Sequence, residues 1–193
     1  QWHEGAREMM AAYDCLLIGG DTAKSDILTI NVVVIGSVVK NRAVMRDSAE
    51  VGENIYVSGP LGSAGAGLEV CKDGSLFSRI DQHILTPMRD QHLNPEPEIS
   101  LGALLGGSGL VGAMQDLSDG LATDLAHITE LSGVGAEIDA AALPAVEGLD
   151  LVCGIIGIPV VSMQVAGGED YKLVFTVKAQ TDGTLLSQIQ ANG

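Results

Sequence analysis

Carboxylate and hydroxyl side chains follow short apolar runs at three places in the sequence, and these residues are the best candidates for chemistry. The segment Asp116-Leu117-Ser118-Asp119-Gly120 has two aspartates three residues apart, with a serine between them. A strand is expected before it and a helix directly after it, so the helix start would offer backbone N–H groups to a phosphate, and Asp116 and Asp119 could hold a neutralising Mg²⁺. Alternatively, Ser118 or Asp119 only caps the helix. The residues alone leave both interpretations open.

Two further acidic turns repeat this design. Gly19-Gly20-Asp21-Thr22 follows an apolar run, and its glycines would let the backbone approach a ligand. Taken by itself it is more often an ordinary turn at the end of a strand. Gly167-Gly168-Glu169-Asp170 is the third case, placed before another expected strand. Three such turns in one chain favour a phosphate and metal site over ordinary turns at the ends of strands.

Other phosphate and catalytic signatures are absent from the sequence. The glycine-rich stretch from Gly59 to Gly67 lacks the Gly-Lys-Ser/Thr ending of a P-loop and the spacing of a dinucleotide fingerprint. Its small residues instead suggest close helix packing or a backbone contact. The four histidines show no metal-binding spacing. No Ser-His-Asp or Cys-His set can be argued from the sequence either, so nucleophilic hydrolysis has no support.

Composition narrows the class of protein. The formal net charge is −15, which would repel nucleic acid and an anionic membrane surface, so neither is expected as a partner. Apolar residues make up 46% of the chain, as in an ordinary globular protein. The three cysteines are far apart and lie in apolar stretches. We interpret them as buried thiols and expect a cytoplasmic location.

Periodicity predicts a mixed α/β fold. Residues 2–13 show helical spacing, while Cys15 to Ile18 and the β-branched run 27–38 predict strands. Residues 40–53 indicate a charged connector. Further strands are expected at 54–58, 111–114, 134–138 and 171–177, with helices after the glycine-rich stretch, over 78–107 with breaks at Pro87, Pro95 and Pro97, over 118–131, and from Asp182. Residues 111–138 would thus form a β-α-β unit.

Five segments, taken in order, resemble the thiamine-monophosphate kinase family, within the superfamily of aminoimidazole ribonucleotide synthetase and selenophosphate synthetase. They are 17–22, 42–46, 52–59, 116–125 and 167–173. The resemblance implies a two-domain α/β architecture with an incomplete N-terminal domain. Residues 1–45 would be the remainder of the N-terminal ATP-binding and dimerisation domain, and 46–193 a C-terminal domain whose end is truncated. The full-length protein is expected to be a homodimer.

The same resemblance implies a phosphoryl transfer from ATP to thiamine phosphate that depends on Mg²⁺ and gives thiamine diphosphate and ADP. It assigns roles by position: ATP binding to Gly20, Asp21, Arg46 and Ser118, magnesium binding to Asp21, Asp116 and Asp119, and thiamine phosphate binding to Glu169. A carboxylate is a suitable partner for a cationic thiazolium ring. In-line transfer needs positioning and charge neutralisation more than a nucleophile, which agrees with an aspartate-rich site.

Two alternatives remain at this stage. One keeps the superfamily and changes the substrate, as in a selenophosphate or purine-precursor synthetase. The other is a non-catalytic interaction domain whose acidic turns only cap helices. Exchanging Asp116 and Asp119 for asparagine separates the enzyme from the interaction domain, because only the enzyme would lose nucleotide binding and activity.

Overall fold

The computed structural model describes residues 2–192 and divides into two units, Gln1–Ser37 and Val38–Gly193. Gln1 and Gly193 themselves lie outside the described residues. The family-based domain boundary between residues 45 and 46 stays a prediction. Each unit is described by itself below.

The first unit contains one helix, α1 (Trp2–Ala12), which confirms the helical spacing at its start. The strands expected at 15–18 and 27–38 are wrong, because the described residues of both segments have no regular structure and are exposed. Leu16 is 83% exposed and Leu28 is 88% exposed. A β-branched run forms a strand only where a neighbouring strand pairs with its backbone and a core covers one face. Neither condition is met among residues 2–37.

The second unit holds the other helices and the strands of the described chain. In order they are β1 (Glu53–Val57), α2 (Ser63–Lys72), α3 (Gln82–Leu93), α4 (Ile99–Ser108), β2 (Val111–Asp116), α5 (Leu121–Ser132), α6 (Leu149–Ile156), α7 (Val160–Ala166), β3 (Leu173–Lys178) and α8 (Asp182–Asn192). Short 3-10 turns cover Gly74–Ser78 and Ala140–Ala142. The mixed α/β class is confirmed, as are the three strands that begin near residues 54, 111 and 171.

The three strands form one antiparallel sheet in the described chain, in the order β1-β3-β2. Val57 pairs with Val174 on one side of β3, and Asp116 pairs with Leu173 on the other. The expected β-α-β unit is therefore wrong. Residues 134–138 have no strand structure and are largely exposed, so neither a backbone partner nor a core holds them extended.

The central strand β3 is covered on both faces. Val174 belongs to a core cluster with Leu125 and Ile128 of α5. Phe175 and Val177 point the other way and pack with Leu105 of α4 and Leu185 of α8. Helix α5 therefore covers one face of the sheet and helices α4 and α8 cover the other, so β3 is buried between them.

A further core joins α2, α3, α6 and α7. Gly67 of α2 faces Met88 of α3 so closely that a Cβ would overlap the Met88 carbonyl oxygen. The small residues of the glycine-rich stretch thus serve close helix packing, as expected. Pro87 lies inside α3 and does not break it, contrary to the prediction. An internal proline costs a helix about 3 kcal/mol, and the complete burial of Leu85 and Met88 on either side offsets that cost.

No single helix among the described residues is long and apolar enough to cross a membrane. The pair α6 and α7, bent by 102°, passes that test only by length and composition. Leu149, Cys153 and Met163 of this pair lie in the core. Cys153 is buried as expected, but Cys15 and Cys71 are exposed, so the prediction of three buried thiols is wrong for these two.

Candidate functional site

The acidic turn 116–120 begins at Asp116, the last residue of strand β2. Leu117 is 1% exposed and anchors the turn in the core. Its N–H donates to the Lys172 carbonyl at 2.7 Å, and its carbonyl accepts from the Tyr171 N–H at 2.9 Å. These bonds continue the β2–β3 pairing by one residue. Asp116 and Asp119, on either side of this buried leucine, are exposed.

Asp124, in the first turn of α5, holds the acidic turn 116–120 in place through hydrogen bonds to its backbone. One of its carboxylate oxygens, Oδ2, accepts from the backbone N–H of Asp119 at 3.0 Å and of Gly120 at 3.1 Å. The other, Oδ1, accepts from Nε2 of Gln115 at 2.9 Å, and the residue is 1% exposed. The N–H groups of residues 119 and 120 are therefore already bonded within the protein.

The hydrogen bonds to Asp124 correct both earlier interpretations of the start of α5, namely free backbone N–H groups for a phosphate and a cap by Ser118 or Asp119. The helix starts at Leu121 rather than at Ser118, and its N-cap residue Gly120 makes no side-chain cap. Neither Ser118 nor Asp119 caps it, because Asp124 does so from inside the helix. Neither the Ser118 nor the Asp119 side chain has a hydrogen bond or ion pair to another described residue, so both are available to another partner.

The third acidic turn, 167–170, lies directly against the first. The Glu169 N–H donates to the Ser118 carbonyl at 2.8 Å. A Cβ at Gly168 would lie 3.1 Å from that same carbonyl oxygen, and the φ of Gly168 is +66°. Glycine is needed here for both reasons, the close approach and the left-handed backbone. The structure thus brings Asp116, Ser118 and Asp119 together with the turn that carries Glu169.

Asp170 ties this turn to the start of α2. It is 4% exposed, and its carboxylate accepts from the N–H of Gly62 at 2.6 Å and of Ala64 at 2.9 Å. Burial raises the pKa of Asp170 above its usual value, while the backbone N–H bonds oppose the shift. The positive end of α2 is therefore matched by a carboxylate of the protein itself, which leaves it unsuited to a phosphate.

The turn with Glu169 has an unusual backbone. Glu169 has a φ of +58° and Tyr171 a φ of +49°, both in the left-handed region that favours glycine. Such residues cost on the order of 1–3 kcal/mol each and persist where surrounding contacts fix them, most often at functional sites. Here the Glu169 N–H is bonded to Ser118 and the Tyr171 N–H to Leu117. Between them, the Asp170 carboxylate is bonded to the start of α2.

Residues 50–193 match the family described as AIR synthase related protein, C-terminal domain. The chain belongs to this family. The matched region includes both acidic turns of the second unit, whereas Gly20, Asp21 and Arg46 precede it.

Curated and solved relatives are named thiamine-monophosphate kinase. The Haemophilus influenzae protein is 39% identical over 169 residues, which cover 86% of this chain and 48% of that protein. The Stenotrophomonas maltophilia K279a structure has a TM-score of 0.70 and 33% identity, and covers 80% of this chain and 48% of that one. A structure described as "AaThiL complexed with AMPPCP and TMP" has a TM-score of 0.61 and 32% identity, and covers 71% of this chain and 43% of that one. The chain spans about half the length of the curated relatives it matches.

The backbone of Arg46 lies at the end of α5 opposite to the acidic turn 116–120. Its carbonyl accepts from the Ser132 hydroxyl at the last residue of α5, at 3.4 Å. The turn 116–120 precedes the first residue of that helix, and twelve residues at 1.5 Å each span about 18 Å. The ATP-binding role of Arg46 stays a prediction.

Gly20 and Asp21 belong to the first unit, where both are exposed. The Asp21 carboxylate accepts from the N–H of its neighbour Thr22 at 2.8 Å. Their predicted roles with ATP and magnesium stay predictions.

The pair Asp116 and Asp119 fits part of a magnesium site. Within residues 2–192, no group of three or more His, Cys, Asp or Glu residues is arranged to hold a metal ion. Neither of these two carboxylates has a hydrogen bond or ion pair to another described residue, so both oxygen pairs are available. Mg²⁺ is typically bound by one or two carboxylates, with water and substrate phosphates completing its shell. The donor set suits that mode.

Sequence reasoning did not assign a role to three residues that shape the site. Asp124 carried a usable signal, an acidic residue in the first turn of a predicted helix. His92 lies 3.2 Å from the Glu169 carboxylate, and Gln91 donates to the Asp170 carbonyl at 2.9 Å. No sequence signal marks these two, because they reach the site only through the packing of α3 on α2.

Proposed function

We propose that this chain is part of an enzyme that transfers a phosphoryl group from ATP to thiamine phosphate, giving thiamine diphosphate and ADP. One observation carries the proposal: a backbone hydrogen bond from Glu169 to Ser118 joins the two acidic turns 116–120 and 167–170, in a region that matches the family. The relatives' names and the AMPPCP and TMP complex supply the reaction and the substrates.

The roles follow the position of each side chain. Asp116 and Asp119 would hold Mg²⁺, which supplies neutralisation of the phosphate charge when bound. Ser118, between them, would donate its hydroxyl to ATP, with Gly20, Asp21 and Arg46 as further ATP contacts, and Asp21 as a further magnesium ligand. Glu169, 54% exposed at the adjoining turn, would attract the cationic thiazolium ring.

The chemistry needs no protein nucleophile. An oxygen of thiamine phosphate forms a bond to the γ-phosphorus of ATP, and the bond from that phosphorus to the β–γ bridging oxygen breaks. The protein contributes by aligning the two substrates and stabilising the spread of negative charge. Exposed acidic side chains fixed on a rigid sheet end are suited to that task.

The decisive assay uses the natural gene product that contains this chain, with ATP, Mg²⁺ and thiamine phosphate, and measures thiamine diphosphate by chromatography. Asp116→Asn and Asp119→Asn should each lower kcat/KM by roughly 100-fold or more, because each removes charge from the metal site. Asp150→Asn is the matched control, since Asp150 is an exposed aspartate in the first turn of α6.

Two results would contradict this function. Folded protein that forms no thiamine diphosphate, but phosphorylates or activates another metabolite, would indicate a different synthetase of the superfamily. Unchanged nucleotide binding in both asparagine variants would indicate an interaction domain whose acidic turns are only structural.

A homodimer, a cytoplasmic location and the division into domains at residues 45 and 46 are also part of the proposal. The exposed β-branched run that includes Ile27, Leu28 and Val33 supports the dimer, since a large apolar surface is usually covered by a partner. The free thiols agree with a reducing compartment, and the charge of −15 argues against nucleic acid and anionic membranes as partners. Analytical ultracentrifugation of the natural gene product tests the dimer.

A further inference from the structure

We propose that His92 is a positioning residue that fixes the Glu169 carboxylate for the acceptor substrate. The inference rests on the proposed function, because it concerns how the same site selects thiamine phosphate. It adds a residue outside both acidic turns to the substrate-binding machinery.

The imidazole of His92 faces the carboxylate from the last turn of α3. Its Nδ1 lies 3.2 Å from Oε2 of Glu169, and the His92 side chain is 18% exposed while that of Glu169 is 54% exposed. Nδ1 is shielded from solvent and has no hydrogen bond to another described residue, since the short contact is not aligned as one. A buried, unsatisfied polar atom is costly, and a rotation of the half-exposed Glu169 side chain would align its carboxylate with Nδ1 and relieve that cost.

His92 is the fixed member of this pair. Its backbone belongs to the helix that crosses α2 at Gly67, where a Cβ would lie 2.9 Å from the Cβ of His92. The preceding residue Gln91 donates to the Asp170 carbonyl at 2.9 Å. The end of α3 is therefore held against α2 and against the turn that carries Glu169, so the imidazole has little freedom to move.

Glu169 is the member that needs fixing. Its left-handed backbone is held by its neighbours, but its carboxylate is more than half exposed and has rotamer freedom to lose when a ligand binds. An N–H group at Nδ1 that donates to the carboxylate would orient it and leave its negative charge intact. That charge, held in one place, is what attracts a delocalised cation such as thiazolium.

The test is steady-state kinetics on the natural gene product with three substitutions. His92→Leu removes the ring nitrogens, and His92→Asn keeps an N–H donor two bonds beyond Cβ, where Nδ1 stands. We expect His92→Leu to raise KM for thiamine phosphate about tenfold, the loss typical of a hydrogen bond to a charged group. KM for ATP and kcat should stay within about twofold, and His92→Asn should recover most of the loss.

Glu169→Gln completes a double-mutant cycle. If His92 acts through Glu169, His92→Leu has no further effect on KM in the Glu169→Gln background. An equal effect in both backgrounds, an unchanged KM, or a parallel rise in KM for ATP would overturn the proposal. Where His92→Leu does not fold, the same cycle is run with His92→Phe, which keeps a planar ring and removes both ring nitrogens.

A measurement that needs no activity separates this inference from the proposed function. The ¹⁵N resonances of the His92 ring, assigned by their loss in His92→Asn, should shift in Glu169→Gln. An unchanged ring spectrum overturns the contact even if the enzyme proves to be a kinase. A shifted spectrum in a protein that makes no thiamine diphosphate would overturn the role in acceptor binding and the proposed function together.

Discussion

Oδ2 of Asp124 accepts a hydrogen bond from the backbone N–H of Asp119, 3.0 Å away, so a buried carboxylate sets the position of an exposed one. Asp124→Ala removes this acceptor and leaves two backbone N–H groups and Gln115 without it. We expect the free energy of unfolding to fall by about 2–4 kcal/mol, measured by urea denaturation.

Asp124→Asn is the matched variant. Its amide oxygen can still accept from Asp119 and Gly120, and its NH₂ group can donate to Gln115 if that side chain turns over. Oε1 of Gln115 is buried and has no hydrogen bond to a described residue, so turning this side chain over gives up only the 3.4 Å contact between its Nε2 and Nδ1 of His127. The cost should be below about 1 kcal/mol, mainly the lost charge at the helix start. Equal losses in the two variants would contradict the role of the hydrogen bonds.

Asp170 predicts a pH dependence of stability with a definite sign. Burial raises its pKa above 3.8 in the folded chain, against the opposing N–H bonds, so the folded state holds this proton more tightly than the unfolded state. The contribution of Asp170 to the free energy of unfolding therefore falls as pH rises from about 3.8 to the raised value.

Asp170→Asn lacks this ionisation and serves as the reference. The free energy of unfolding of the natural chain minus that of the Asp170→Asn variant should decrease as the pH rises above about 3.8, measured by denaturant titration at each pH. A difference that grows with pH would mean that the N–H donors of Gly62 and Ala64 outweigh burial.

Gly67→Ala tests the crossing of α2 and α3. The added methyl group would overlap the Met88 carbonyl oxygen, which is backbone and cannot move without shifting α3. We expect a loss of about 3 kcal/mol or more in the free energy of unfolding. Gly154→Ala, also inside a helix but with open space around it, should instead stabilise by roughly 0.5–1 kcal/mol through helix propensity. Similar effects at both positions would contradict the close crossing.

Glu169→Gly should separate stability from function. Glycine removes the cost of a left-handed φ of +58°, so the melting temperature should hold or rise, by an amount equivalent to about 0–1 kcal/mol. Affinity for thiamine phosphate should fall, because the carboxylate is gone. Glu147→Gly, at an exposed position with ordinary φ, should destabilise by roughly 0.5 kcal/mol and leave binding unchanged. A melting temperature that drops more for Glu169→Gly than for Glu147→Gly would contradict the strain.

Helices and strands were predicted correctly where the local pattern of apolar and small residues agrees with the packing around them. Val174 and Phe175 alternate between two hydrophobic clusters on opposite faces of the sheet. The helix expected after the glycine-rich stretch also forms, although it begins inside that stretch at Ser63. Prediction failed where a pattern needed a partner that the described chain does not supply, as in the β-branched run 27–38. It also failed at Pro87, where burial of Leu85 and Met88 outweighs a local helix breaker.

For the site, the sequence located Asp116, Asp119 and Glu169 because acidic residues after strands are a local pattern. Their contacts depend on long-range packing that no local pattern contains. His92 reaches Glu169 only because Gly67 lets α3 approach α2, and the bond between Glu169 and Ser118 joins residues 51 positions apart. The boundary of α5 was also misplaced, since the cap comes from Asp124 and not from the preceding serine.

The order of the strands has a consequence for how the polypeptide is made. The central strand β3 is the last of the three along the chain, and Val57 of β1 meets Val174 of β3 across 117 residues. During synthesis, β1 and β2 leave the ribosome before β3, the strand with which both pair in the described chain. Such long-range pairing slows folding and leaves strand edges open to wrong partners in the meantime. A nascent chain arrested before residue 173 should accordingly remain sensitive to protease over residues 53–57, while one released after β3 should be protected.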